Sequence, residues 1–302
     1  MAIPAKRWEA LRARLAMVVP LVGLMAVLLF LDARYRTDIG VNLIALAATI
    51  LGLYEFYCLM DQAGIPSRAA VGILYGVGYL LGHWVWMHAG SGLPRESSVL
   101  LLDTLLVGAV LAMFLIEIAH GPDTTTVSRI AVTLLGVVYI AFLISFCLKL
   151  VYLRTPAGGD GHVYLALMIA VAKGGDSGAY FVGSRFGRIK LLPRISPNKT
   201  LEGLFGGLAA SVLVAIGIVM NTSLHPLGLA RAALFGLVVG LSSQLGDFCE
   251  SLIKRWSRAK DSGRIFPGYG GVLDVIDSLL VAGPVAYLML RFFGIAPGGW
   301  GD

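Results

Sequence analysis

The sequence predicts an all-α, polytopic membrane protein of about nine transmembrane helices. Three observations predict it. Of 302 residues, 57% are hydrophobic and only 14% are charged, against about 45–50% and about 25% in soluble domains. The apolar residues gather into runs near the ~20 residues that a helix needs to cross a bilayer. The charges fall mostly between those runs. A soluble globule could not hide this much apolar surface, and a disordered chain would be poor in it.

The first run, near residues 15–31, follows Lys6, Arg7, Arg12 and Arg14. A charged start before an apolar stretch also marks a signal peptide, but this run is long and no clear small-residue cleavage site follows. It reads as a first span behind a short amphipathic helix carrying Trp8 and Leu11. Eight further runs lie near 41–60, 69–88, 98–119, 130–153, 162–182, 204–221, 229–253 and 276–294. Each is read as a helix, which satisfies its own backbone hydrogen bonds in lipid; none alternates as a barrel strand does. Cys58, Cys147 and Cys249 fall in apolar stretches without pairing or metal-ligand spacing, and read as small buried hydrophobes.

Basic residues set the orientation. Four precede the first span; the sixth loop carries Arg185, Arg188, Lys190, Arg194 and Lys199, and the eighth Lys254, Arg255, Arg258, Lys260 and Arg264. Nine spans put all three regions on one side, which the positive-inside rule makes cytoplasmic. The expected location is the inner (cytoplasmic) membrane. The net charge of +6 then reflects loops facing anionic lipid, and no nucleic-acid partner is expected. Residues 1–160 form an N-terminal set of membrane helices with few charges. Residues 161–302 hold nearly all the unusual polar chemistry and the cytoplasmic loops 183–203 and 254–273. No internal repeat of the inverted-transporter kind is visible.

Three polar blocks stand out. Lys173 and Asp176 share a helical face within or at the end of an apolar run, among glycines that let a ligand approach. A charge there costs about 2.5 kcal/mol or more and is a functional hypothesis by default. In the second block, Ser196, Asn198, Lys199 and Thr200 offer donors around a turn that opens a helix, a setting suited to phosphate, though a plain capped helix start looks the same. In the third, Asp247, Glu250, Ser251 and Lys254 follow one helical face, and Asp274 and Asp277 share another. Carboxylates from two helices beside a basic, glycine-rich loop are what oxygen-ligated Mg²⁺ with substrate phosphates requires. Glu55, Asp103 and Glu117, in the first-half spans, read as helix-pairing or interface positions. His83 and His88 have poor spacing for a shared ligand, and Trp84, Trp86 and Trp300 fit an interfacial belt.

The stretch from Ser251 to Asp277 resembles the signature of the integral-membrane phosphatidate cytidylyltransferases (CDP-diacylglycerol synthases). Ser251, Lys254, Arg255, Lys260, Asp261, Gly263, Pro267, Gly270, Gly271, Asp274 and Asp277 stand at the family's spacing. The upstream Asp-Ser-Gly-Ala-Tyr-Phe-Val-Gly and Ile-Ser-Pro-Asn-Lys-Thr-Leu-Glu-Gly stretches are also similar, so the likeness covers about residues 165–290. Two positions depart from it: Tyr269 replaces the family's histidine, and Val275 replaces the arginine between the two aspartates.

The resemblance implies transfer of CMP from CTP to phosphatidate, giving CDP-diacylglycerol and pyrophosphate for phospholipid biosynthesis. CTP, phosphatidate and membrane lipids are the partners it implies, together with a homodimer. It implies Mg²⁺ on Asp247 and Asp274, with Glu250 and Asp277 nearby, and leaves a second, monovalent cation open. Lys173, Asp176, Lys254, Lys260 and Asp261 would serve the chemistry. Ser196, Asn198, Lys199, Arg255, Tyr269, Gly270 and Gly271 would contact substrate. An inactive or altered-substrate homologue remains an alternative on account of Tyr269 and Val275. An ion-coupled transporter is another, because buried Asp, Glu and Lys also mark ion paths.

Overall fold

The computed structural model describes residues 23–296 except 25, 26, 33, 36, 89–94, 155–160, 264 and 266–269. Most of the run at 15–31, the basic tail before it, and Pro267, Tyr269 and Trp300 lie outside the described residues. Within them, eight helices are long and apolar enough to cross a membrane. They coincide with the second to ninth runs. They are α1 (Ile39–Gln62), α2 (Ala69–His88), α3 (Arg95–His120), α4 (Thr126–Val151), α5 (His162–Phe186), α6 (Leu201–Met220), α7 (Gly228–Trp256) and α8 (Leu273–Phe292). Large apolar side chains such as Leu74, Ile118, Leu213 and Leu288 are exposed on their outer faces, as lipid contact demands and water would not permit.

Local chemistry explains where several elements begin and bend. Asp32 accepts from the amides of Gly40 (3.1 Å) and Val41 (2.8 Å), supplying acceptors to donors that the first turn of α1 leaves open. α4 contains a π-helical segment, Val137–Phe142, and one turn before it the Tyr57 hydroxyl donates to the Thr133 carbonyl at 2.8 Å. In the connection between α3 and α4, Arg129 and Thr125 hold the Asp123 carboxyl well below the usual carboxylate range. Pro284 lies inside α8, which a membrane helix tolerates where neighbours pack around it.

A two-stranded antiparallel hairpin, β1 (Lys190–Leu192) with β2 (Ser196–Thr200), joins α5 to α6. The sequence suggests a helix-opening turn across Ser196–Thr200. Instead only Thr200 caps the helix, its side chain accepting from the Gly203 amide at 3.2 Å. Ser196, Asn198 and Lys199 sit on the strand. Pro197 suits such a two-stranded edge, since it disfavours helix for the residue before it and has no amide to donate.

α5 and α6 pack through small residues. A Cβ on Gly178 would lie 2.4 Å from the Ala210 Cβ and 2.9 Å from the Gly206 carbonyl, the close approach typical of membrane-helix pairs. α7 packs on α6 and α8, and α8 on the end of α4, so α5–α8 form one continuous set of neighbours. Of the cysteines, Cys147 is buried against α8 as expected, while Cys58 and Cys249 are half-buried; all three are free.

Candidate active site

The alternation of helices brings the ends of α1, α5 and α7 together with the starts of α6 and α8. Contacts across the connections confirm it. Arg255, at the end of α7, donates through Nε to the Ile195 carbonyl at 3.2 Å, linking the two basic loops. Glu117, Arg68 and Arg129 mark the same end of the first half. The Glu117 carboxylate takes the Arg68 Nε at 2.8 Å and the Arg129 Nε at 3.1 Å. That is the helix-pairing role expected of it.

Each lysine of the polar blocks meets a carboxylate. Lys199 Nζ, on β2, lies 2.7 Å from Asp247 Oδ2 and 3.3 Å from Gln244 Oε1, over the Phe248 ring at 4.4 Å. Lys173 Nζ, on α5, donates to Ser278 Oγ (2.8 Å) and to the Val275 carbonyl (3.1 Å), with Asp176 Oδ2 at 3.5 Å. Lys254, on α7, pairs with Glu250 one turn earlier and reaches across to Asp274 Oδ1 on α8 at 2.5 Å. The other Asp274 oxygen accepts from the Ser262 amide (2.9 Å), the Ser262 hydroxyl (2.7 Å) and the Gly271 amide (2.7 Å). Asp274 is thus the hub of the 257–272 loop. Gly270 enters that loop at φ 102, where a Cβ would stand 2.3 Å from Asp274 Oδ2.

The blocks are brought together unequally. Lys173, Asp176, Lys199, Asp247, Glu250, Lys254, Asp274 and Asp277 form the polar centre. Asn198 joins Lys199, Asp176, Gln244 and Asp247 in walling a cleft of about 570 Å³ between α5, the hairpin, α6 and α7. Ser196 lies at the far end of the hairpin from Thr200. Lys260 and Asp261 are exposed and make no ion pair among the described residues. Sequence reasoning missed Gln244, Ser262 and Ser278 as partners, because isolated hydroxyls and amides carry no pattern of their own. It read Glu55 as a helix-pairing or interface position without naming its partner. Glu55 accepts from the amides of Val272 (2.9 Å) and Leu273 (2.8 Å) at the start of α8. A buried carboxylate in an apolar span was the signal that could have found it.

The donor set suits a hard cation in chemistry and charge. Every donor is oxygen. Asp176 Oδ1 and Glu250 Oε1 are buried without a hydrogen-bond partner, and Asp247 lies within electrostatic reach of both Asp176 and Asp277. Five acidic side chains face three lysines. No three His, Cys, Asp or Glu side chains converge on one point among the described residues; lysine ammoniums lie between the carboxylates. Asp274 has both oxygens engaged, one by Lys254 and the other by the loop.

Known proteins resemble this chain over most of its length. The phosphatidate cytidylyltransferase of Staphylococcus epidermidis is 30% identical over 277 residues, 89% of this chain and 97% of that protein. That of Bacillus subtilis is 29% identical over 273 residues, 90% and 97% of the two chains. The uncharacterized Escherichia coli protein YnbB is 34% identical over 194 residues, 63% of this chain and 64% of that protein. The family model described as the Cytidylyltransferase family matches residues 12–293. An all-α membrane bundle with its lysines and carboxylates gathered at one end, matched over that length, belongs to the cytidylyltransferase family and is a nucleotidyltransferase.

Proposed function

We propose that this protein transfers the cytidylyl group of CTP to phosphatidate, releasing pyrophosphate and forming CDP-diacylglycerol. The observation that carries the reading is the cleft, about 570 Å³ in volume, within the usual range for small-molecule sites of about 300–1,000 Å³. It joins Lys199, Asp176 and Asp247 to Tyr180, which is 79% exposed on the outer face of α5. One wall is polar enough for a triphosphate, and the other opens toward lipid. The relatives named for this activity support the same substrates.

In this reading a phosphate oxygen of phosphatidate forms the new bond to the α-phosphorus of CTP. The bond from that phosphorus to the α–β bridging oxygen breaks, and pyrophosphate leaves with the electron pair. The nucleophile is already anionic, so no strong general base is required. The protein's work is to position two anions and offset their repulsion. Lys199 exchanges its Asp247 contact for phosphate oxygens. Asn198 and Arg255 contact the triphosphate from either side of the hairpin. Lys260 and Asp261 approach it from the exposed loop. Asp274 fixes that loop and Lys254, and Lys173 ties α5 to α8 beneath the cleft.

Mg²⁺ is the cation we infer; Asp247 and Asp274 would hold it, with Glu250 and Asp277 nearby, once the lysines that lie between these carboxylates turn to phosphate, and it would neutralise phosphate charge during displacement. The active end is assigned to the cytoplasmic side of the inner membrane. Arg188, Lys190, Arg194, Lys199, Arg258 and Lys260 all lie in its connections, as the positive-inside rule requires.

The test uses purified protein in vesicles containing phosphatidate, with α-labelled CTP and Mg²⁺. One CDP-lipid and one pyrophosphate should appear for each CTP consumed. Pyrophosphate without CDP-lipid, or no product with any divalent ion, would overturn the reading.

A further inference from the structure

Glu55 belongs to α1, far in sequence from the polar blocks. Its side chain is buried, the residue being 2% exposed. Its two oxygens divide between two consecutive amides, Val272 to Oε1 at 2.9 Å and Leu273 to Oε2 at 2.8 Å. These open α8, where donors lack intrahelical partners and the helix dipole favours a carboxylate. The carboxylate is seated in a slot between two glycines. A Cβ on Gly263 would stand 2.3 Å from Glu55 Oε1, and one on Gly271 would stand 2.2 Å from Oε2. Ser262 lies beside it, with its hydroxyl 3.2 Å from Glu55 Oε2 and 2.7 Å from Asp274 Oδ2. Glu55 therefore touches both arms of the 257–272 loop, one residue from Asp274 on one side and at Ser262 on the other.

We propose that Glu55 is a positioning residue for cytidylyl transfer. It clamps both arms of the loop to the first-half bundle. The clamp fixes the register of Asp274 and, through it, of Lys254. The first half of the chain thereby takes part in the reaction without touching substrate. This rests on the function proposed above.

A helix cap with no part in the reaction would predict lost stability alone, so the test separates the two. Glu55→Gln keeps the shape but turns an amide NH₂ toward a backbone donor. Its kcat should fall by about tenfold to a hundredfold, as small misplacements of catalytic groups do, with KM for CTP within about threefold of wild type. Hydrogen exchange at the Val272 and Leu273 amides should quicken. Ser262→Ala should also slow turnover, and the double variant should fall short of the product of the two effects, because both act through one loop. Glu117→Gln, which disturbs the Arg68 and Arg129 pairs at the same end, should lower thermal stability while the folded protein keeps its kcat.

Wild-type kcat in Glu55→Gln would overturn the proposal. So would an equal loss in Glu117→Gln at matched thermal stability, or fully multiplicative effects with Ser262→Ala. Unchanged exchange at Val272 and Leu273 would overturn the clamp whatever the activity. Absence of CDP-lipid from wild-type protein would instead bring down the proposed function.

Discussion

At the scale of single residues, the three lysines of the site are not equivalent. The Lys254 side chain is 12% exposed and lies between Glu250, 1% exposed, and Asp274. Removing it leaves two buried carboxylates facing each other. Breaking a buried pair from one side costs about 3–5 kcal/mol. Lys254→Met should therefore lower the unfolding temperature in detergent well below that of Lys199→Met, whose partner Asp247 is 20% exposed. Lys199→Met should instead fold and lose turnover with CTP, since Lys199 lines the cleft. The Glu250–Lys254 pair was legible as a four-residue spacing on one helix. The Lys254–Asp274 pair was not, because it joins two helices.

At the scale of elements, the crossing of α7 and α8 decides the site. The helices approach tightly at Gly246, where a Cβ would meet the Asp277 carbonyl at 2.4 Å and the Ser278 Cα at 3.0 Å. Those atoms are backbone and cannot turn aside. Gly246→Ala should push the helices apart, costing about 1–3 kcal/mol as overpacking does. It should also reduce turnover, because Lys254–Asp274 spans that crossing. Gly217→Ala, on α6 with nothing within 4 Å, should stay within about 0.5 kcal/mol of wild type. Helix positions were readable from hydropathy, since each span must be apolar over its length. The β1–β2 hairpin was not, because its short strands carry no period that separates them from a helix start.

For the whole molecule, sidedness is the testable property. Alternating helices place the hairpin and the 257–272 loop at one end and the connection between α6 and α7 at the other. With Cys58, Cys147 and Cys249 changed to Ala, single cysteines at Arg194 and Arg258 should react with an impermeant thiol reagent from the cytoplasmic side. One at Ser223 should react from the opposite side. Labelling of Arg194→Cys and Ser223→Cys from the same side would contradict the alternation.

The sequence by itself determined the membrane class, the positions of the spans from α1 to α8 and the residues of the polar blocks, because hydropathy and charge are local properties that lipid sorts directly. It also carried the family likeness, in motifs contiguous along the chain. Only the tertiary structure decided which carboxylate each lysine meets, that Asp274 also holds its loop, and that Glu55 reaches the start of α8 across 217 residues of chain. Those pairings depend on how helices cross in space, and no spacing along one helix encodes the rotation of another.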